Sequence, residues 1–206
     1  MPRISPPKFF VQPLRVHSFH AGVALHDVWA VDLPAIREGI TLQEFRRRTK
    51  QKDSAEQLSL PTRLLIRLRI LVGRIFGWDS ERSETPKELF AERLTSEDRA
   101  RSAVPAGTRE GILSREGNFR VVDSFENETL LELINRTVHA AVLSALVETS
   151  EGYRFYLAIY VRKRGWITPL YMALIDPFRR WVVYPAILRQ IESNWTEAFE
   201  MDAAER

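Results

Sequence analysis

The clearest pattern in the chain begins at Phe119, where four runs rich in β-branched and aromatic residues follow one another. They read "FRVVDSF", "ETLLELIN", "TVHAAVLSALVE" and "YRFYLAIYVRK", and only short breaks such as "EN" and "TSEG" separate them. Runs of this length and composition are typical of β-strands. Because sequential strands with short connections usually pair with their neighbours, the pattern predicts an antiparallel meander.

Three further elements are predicted before the meander. "VALHDVWAVDLP" (23–34) indicates a first strand that ends at a proline. "TLQEFRRRTKQKD" (41–53) indicates a short helix, because Thr41 followed three residues later by Glu44 forms a capping-box pattern. A second helix is predicted over 59–78, with a proline near its start and a glycine near its end.

Two segments show no sustained period. Residues 1–24 are rich in proline and predict an extended N-terminal arm. Residues 79–118 are charged and predict a mobile loop with room for one short helix around 86–94. The predicted organisation is therefore an arm followed by a single domain over 25–200 that carries a charged loop at 79–118.

The chain closes on "LYMALIDPFRRWVVYPAILRQIESNW" (170–195), which predicts a long helix. Asp176 followed by Pro177 is a typical helix start. Apolar side chains then recur every three or four residues and form one stripe: Trp181, Tyr184, Leu188, Ile191 and Trp195. Pro185 interrupts the stripe and predicts a kink, because proline removes a backbone donor and clashes with the preceding turn. The stripe indicates a helix packed on a sheet.

The strand opposite this helix carries small residues on one face. Alternation places His139, Ala141, Leu143 and Ala145 together, and Tyr156 and Tyr160 share a face of the next strand. Small side chains beneath a kinked aromatic helix leave volume, which predicts a concave apolar site with a few polar groups. The candidate ligand-binding residues are His139, Ala141, Leu143, Ala145, Tyr156, Tyr160, Phe178, Trp181, Tyr184 and Leu188. The alternative is an ordinary core in which His139 is simply hydrogen-bonded.

Composition excludes several classes of protein. The chain has 206 residues, a net charge of +3 and no cysteine, so it offers no disulfide framework, no thiolate metal site and too little basic charge for a dedicated nucleic-acid binder. It contains no apolar run of membrane-spanning length, and prolines interrupt the N-terminus where a signal peptide needs an apolar core. These features predict a cytoplasmic protein.

The sequence offers no catalytic or cofactor motif. Glycine fingerprints for nucleotides, a nucleophile elbow and a zinc-binding H-E-x-x-H are all missing from the printed sequence, so no cofactor and no catalytic residue is predicted. His17, His20, His26 and Asp27 are close in sequence, but they fall in or beside the predicted arm, so no metal site is predicted either. Glu126 and Glu128 flank Asn127 at a predicted turn, where we expect solvated carboxylates.

Four stretches resemble a bacterial family of unknown function that occurs alone or fused behind short-chain dehydrogenase domains. They are "LPTRLLIRLRILVGRIFGW", "FRVVDSFENETLLEL", "VHAAVLSALVE" and "GWITPLYMALIDPFRRWVVYPAILRQI". His139 at the start of a strand and Glu128 after the turn also match the family pattern. Arg179 stands where the family usually has histidine, and Asn135 and Arg136 stand where it tends to have acidic residues.

The resemblance implies a fold near the START-like helix-grip superfamily, in which a curved antiparallel sheet wraps a long C-terminal helix. The expected class is therefore α+β, and the expected function is binding of a small apolar or amphipathic molecule between sheet and helix. One alternative is an enzyme of cyclase or hydratase type, with His139 and Tyr156 or Tyr160 as the acid or base. Another is an interaction module for a dehydrogenase partner, or for a membrane surface through residues 62–76. The oligomeric state stays open.

Overall fold

The structure, a computed structural model, describes residues 3–19, 23–50, 89–103, 119–134, 138–163, 173, 176–177 and 179–204. The predicted helix over 59–78 and Phe178 lie outside these residues. The described part is a mixed α+β fold built on one five-stranded sheet. No helix among the described residues is long and apolar enough to cross a membrane.

The sheet is antiparallel throughout, with its strands in the order β1-β5-β4-β3-β2. The strands are β1 (Leu25–Pro34), β2 (Phe119–Ser124), β3 (Glu128–Ile134), β4 (Val138–Thr149) and β5 (Gly152–Lys163). The predicted meander of four strands is confirmed, and so is the predicted first strand, which pairs with β5.

Tight approach of two strand ends explains the glycine that opens β5. Gly152 has a φ of +142°, a conformation that side chains rarely adopt, and a Cβ there would lie 2.5 Å from the carbonyl oxygen of Leu33. Glycine allows both the turn and the approach of β1. The hairpin between β4 and β5 therefore depends on this residue.

One face of the sheet, which we call the helix face, packs against the C-terminal helix. Its β5 residues are Tyr153, Phe155, Leu157 and Ile159, and its β1 residues are Trp29, Val31 and Leu33. The helix covers them with Tyr184, Leu188, Trp195 and Phe199, all buried. Phe45 of the helix α3 (Leu42–Lys50) fills the space beside Trp195. Thr41 accepts a hydrogen bond from the Glu44 amide at 3.2 Å, which confirms the predicted N-terminal cap.

The opposite face, which we call the alanine face, lies under the N-terminal arm and a segment after residue 89. Its residues are Val28, Ala30, Ala141, Leu143, Ala145, Tyr156, Ala158 and Tyr160. Phe9, Leu14 and Val16 of the arm and Phe90 and Leu94 of the later segment are buried against it. The two faces of the sheet are therefore covered by different parts of the chain.

The arm is not extended over its described length, so that expectation is wrong. It contains two short helices, α1 (Pro6–Phe10) and α2 (Val16–Phe19). The Ile4 amide donates to the Val28 carbonyl at 2.9 Å and attaches the arm to the edge of β1.

The expected loop at 79–118 is likewise ordered in part. A 3₁₀ turn (Phe90–Arg93) leads into helix α4 (Ser96–Arg101), and Thr95 and Asp98 form a capping box at its start. Buried apolar side chains at Phe90 and Leu94 hold the segment on the alanine face. Because charged residues surround Phe90 and Leu94 in the sequence, no apolar period is visible there and these two contacts were not predicted.

The C-terminal helix begins with a π-helical turn (Arg179–Val183) and continues as α5 (Tyr184–Ala204). Pro185 is the second residue of α5, and Tyr184 separates it from the π-helical residues. Proline lacks the amide that would continue the α-helical hydrogen bonds, and a wider turn takes up the misfit. The predicted irregularity is therefore present, as a local π turn before the proline.

Trp195 anchors α5 on the sheet, and its replacement by alanine should destabilise the fold. Trp195 is fully buried, donates to the Pro34 carbonyl at 3.1 Å and contacts the rings of Phe45, Tyr153 and Phe199. We expect Trp195→Ala to lower the free energy of unfolding by about 3–5 kcal/mol. Trp181, which is 80% exposed, supplies the control, since Trp181→Ala should change it by less than about 0.5 kcal/mol. Equal losses in urea denaturation would contradict this account.

Candidate functional site

Two rows of side chains cross the alanine face from β3 to β5, each with an alanine at its centre. The strand register places the first row as Glu128, Ala145 and Tyr156, and the second as Glu132, Ala141 and Tyr160. Since neighbouring strands lie about 4.8 Å apart, the glutamate and tyrosine of a row are separated by about 10 Å at the backbone. In each row the short alanine side chain therefore lies between a longer glutamate on one side and a tyrosine on the other.

Glu132 and His139 form a buried pair at one end of this face. The Nε2 atom of His139 lies 2.6 Å from Oε1 of Glu132, and the two side chains are 2% and 3% exposed. The Phe90 amide donates to the same carboxylate oxygen at 2.9 Å, and the Phe90 ring lies 4.4 Å from the imidazole. Three contacts thus fix the orientation of the pair.

Glu128 lies at the other end and binds the N-terminal arm. Its two carboxylate oxygens accept hydrogen bonds from the Arg15 amide at 2.7 Å and the Val16 amide at 3.0 Å. Burial raises the pKa of Glu128, and these two donors offset only part of that effect. The carboxyl group therefore takes up a proton more readily than an exposed glutamate does.

Tyr160, at the end of the second row, is a buried phenol that interacts electrostatically with Glu128. Burial raises the pKa of the Tyr160 hydroxyl, and the charge on Glu128 raises it further. Tyr160 therefore stays protonated at neutral pH. It can act as a hydrogen-bond donor or acceptor but not as an anion.

Further acidic side chains lie beside the rows. Asp98 is buried and forms an ion pair with Arg15. Burial acts to raise the pKa of Asp98, but hydrogen bonds from Thr95 and Arg15 outweigh it and the net shift is downward. Asp123 is also buried, and there desolvation prevails and raises its pKa. The alanine face is thus rich in carboxyl groups.

The predicted site residues separate into two groups. His139, Ala141, Leu143, Ala145, Tyr156 and Tyr160 come together on the alanine face, as alternation along the strands predicted. Tyr184 and Leu188 pack on the helix face instead. Trp181 is largely exposed, and Phe178 lies outside the described residues.

The prediction that the alanines and the C-terminal helix enclose one cavity is therefore wrong. The helix packs on the large side chains of β5, such as Phe155 and Leu157, because they bury more apolar area than the alanines do. Tyr184 instead packs on Trp29, with ring centroids 5.6 Å apart and the ring planes tilted by 49°. Burial raises the pKa of Tyr184 to about 12, although the charge of Arg179 opposes that shift.

Glu128 and Glu132 are the site residues that the sequence interpretation missed. Glu128 was expected to be solvated at a turn, yet both glutamates are buried. They are four residues apart, so they share a face of β3 with Leu130 between them. Two acidic residues on the buried face of a strand are unusual, and that spacing was the available signal.

A second polar cluster connects the N-terminal arm and the start of the C-terminal helix to β1. A bulge in the register at His26 directs its Nε2 atom to Asp176, 3.0 Å away, and it also lies 3.5 Å from Asp27. The ligand atoms of these three residues lie within 4.8 Å of one another, a spacing that could hold a metal ion.

Arginines already neutralise the two carboxylates of this cluster. Asp27 contacts Arg3 at 2.8 Å and Arg180 at 3.4 Å, and Asp176 contacts Arg179 at 3.3 Å. Three guanidinium groups beside two carboxylates oppose a divalent cation. The arrangement instead links the arm, β1 and the first turn of the C-terminal helix.

A family model matches residues 19–186, and its description is a protein of unknown function, DUF2867. The chain belongs to the DUF2867 family. The matched part contains the sheet and both rows of the candidate site, whereas the arm before residue 19 and the helix after residue 186 lie outside it. No curated protein and no solved structure matches the chain.

The raised pKa of Glu128 predicts a pH-dependent stability difference. Because the folded state raises this pKa, the contribution of Glu128 to stability is complete below its unfolded value near 4.5 and is lost as pH rises through the folded value. We expect Glu128→Gln to become more stable relative to the natural chain as pH rises from 4.5, approaching a plateau. Urea denaturation across this range measures the difference.

The exposed neighbour Glu126 provides the matched control. Glu126→Gln removes the same negative charge from the same turn without touching the arm. A stability difference for Glu128→Gln that stays constant across the pH range would contradict the assignment.

Proposed function

We propose that this DUF2867 protein binds a small apolar or amphipathic molecule on the alanine face. The observation that supports this best is the pair of rows in which an alanine separates a buried glutamate from a buried tyrosine. Small-molecule sites in proteins combine apolar walls with a few convergent polar groups, and both are present on this face.

Perturbed titration supports a functional interpretation of the same groups. Burial raises the pKa of Glu128, Asp123 and Tyr160, which share one side of the sheet. Buried carboxyl groups reduce stability unless donors compensate them, so an ordinary core tends to lack them. Clusters of shifted groups are more frequent at functional sites than elsewhere.

The charges indicate which ligands suit the site. Carboxyl groups accept hydrogen bonds and repel anions, so Glu128 and Glu132 favour a hydroxyl, amide or amine on the ligand over a carboxylate or phosphate. The alanine methyl groups would contact the apolar part of the molecule. We therefore propose a neutral or cationic amphipathic ligand.

An enzyme of cyclase or hydratase type is the second candidate, because Glu132 and His139 form an oriented pair at 2.6 Å. In such an enzyme the imidazole would take a proton from the ligand and return it elsewhere, while Glu132 would stabilise the imidazolium. His139→Gln should then stop turnover of the ligand and leave its binding intact. Equal turnover in both chains would remove His139 from the mechanism.

The finer points of the resemblance are part of the same proposal. A sheet with a C-terminal helix across one face supports a helix-grip, START-like relationship, although the proposed ligand face is the opposite one. The lack of cysteine supports a cytoplasmic location. A dehydrogenase partner supplied by another chain stays an alternative that rests on analogy.

Replacing the central alanine of one row by a large side chain should test the proposal. We expect Ala145→Phe to abolish saturable binding of the neutral fluorescent probe N-phenyl-1-naphthylamine, at a stability cost of about 1–3 kcal/mol. Ala140→Phe is the matched control, because Ala140 lies on the same strand and faces the other way. Probe binding that survives Ala145→Phe, or is lost equally in both variants, would contradict the location.

A further inference from the structure

We infer that the N-terminal arm is a displaceable plug, with Phe9 lying where the apolar part of the ligand would bind. This inference rests on the proposed function and adds its regulation. The inference concerns residues 3–19 of the arm. It states that they leave the alanine face when a ligand binds there.

Phe9 is an apolar residue of the arm that packs on a tyrosine of the candidate site. Its side chain is fully buried, and its ring lies 5.6 Å from that of Tyr156, at the end of the first row. It belongs to the same buried cluster as Ala141, Ala145 and Ala158. A phenyl group that packs on Tyr156 within the cluster that holds these alanines occupies the position that we expect of the apolar part of a ligand.

The arm has little stability of its own. Helix α1 has five residues and α2 has four, and helices this short do not persist in water without packing. The ion pair from Arg3 to Asp27 is half exposed on the arginine side, which makes it weak. The arm is therefore held on the alanine face by the burial of Phe9, Leu14 and Val16. The carboxylates of Glu128 and Asp98, which bind Arg15 and Val16, add polar contacts.

Glu128 couples the plug to the ligand. The carboxylate that begins the first row is the same group that accepts the Arg15 and Val16 amides. A ligand donor that takes these lone pairs removes the fastening of the arm. By linkage, a ligand that displaces the arm binds more weakly when the arm is held more tightly.

The extent of the family match supports a separable arm. The match starts at residue 19, so the matched region includes Glu128, the alanines and the tyrosines but not Phe9, Leu14 or Val16. Of the two segments that cover the alanine face, the one with Phe90 and Leu94 lies inside the matched region, and the arm lies outside it.

Amide hydrogen exchange in the natural chain tests the plug without any mutation. With saturating N-phenyl-1-naphthylamine, we expect the Arg15 and Val16 amides to exchange at least about tenfold faster, because the ligand shifts the arm toward its open state. Amides in the centre of β4 serve as the internal reference and should not change. Slower or unchanged exchange at Arg15 and Val16 would overturn the plug.

A pair of neighbouring phenylalanines supplies the second measurement. Phe9 is buried and Phe10 is half exposed, so Phe9→Ala should tighten probe binding about tenfold while Phe10→Ala leaves it unchanged. If Phe9→Ala fails to fold, the exchange experiment alone decides.

The outcomes separate the plug from the proposed function. Probe binding that Ala145→Phe abolishes, combined with no acceleration at Arg15 and Val16, would overturn the plug and leave the ligand site in place. No probe binding by the natural chain or by Phe9→Ala would overturn both. Phe9→Ala could bind the probe more tightly while amide exchange at Arg15 and Val16 in the natural chain stays unchanged. That result would mean that the substitution created an artificial cavity, and it would overturn the plug.

Discussion

A five-stranded sheet with apolar side chains on both faces has to be covered twice, and the rest of this structure follows from how that is done. The C-terminal helix covers one face with large side chains that include Trp195 and Phe199. Short segments from two distant parts of the chain cover the other, and they bring Phe9 and Phe90 to it. The two covers differ in kind, since one is a long continuous helix and the other consists of pieces that cannot be stable alone.

The face that is covered only by short segments also carries a group of buried ionisable side chains. Glu128, Glu132, His139 and Asp123 are all buried there, although burying ionisable groups lowers stability unless partners compensate. Backbone amides of the covering segments supply part of that compensation, at Glu128 from the arm and at Glu132 from Phe90. The segments that cover the alanine face thus bind the same carboxylates that form the candidate site. Both proposals rest on this connection.

Much of the sheet could be predicted from the sequence, because strand alternation and turn residues are local signals. Alternation also sorted Tyr156 and Tyr160 correctly from Phe155 and Leu157. It could not show which face the helix covers, because that choice depends on the total apolar area offered by all strands together. The prediction of the cavity was wrong for this reason.

The arm and the acidic residues were missed for related physical reasons. Phe9 lies in a proline-rich segment without a period, and only the presence of the alanine face makes it a core residue. Glu128 looks like a turn residue until the hairpin register places it opposite Ala145. The π turn before Pro185 shows the reverse case, since a single residue predicted an irregularity whose form depended on packing.

The central claim is that a small molecule binds on the alanine face, and intermolecular nuclear Overhauser effects test it most directly. The chain would carry labelled alanine methyl groups and be saturated with N-phenyl-1-naphthylamine. The account predicts effects from the probe to the methyl groups of Ala141 and Ala145, and none to Ala198, which packs at the helix face. Effects confined to Ala198, or no effects at any of these methyl groups, would contradict it.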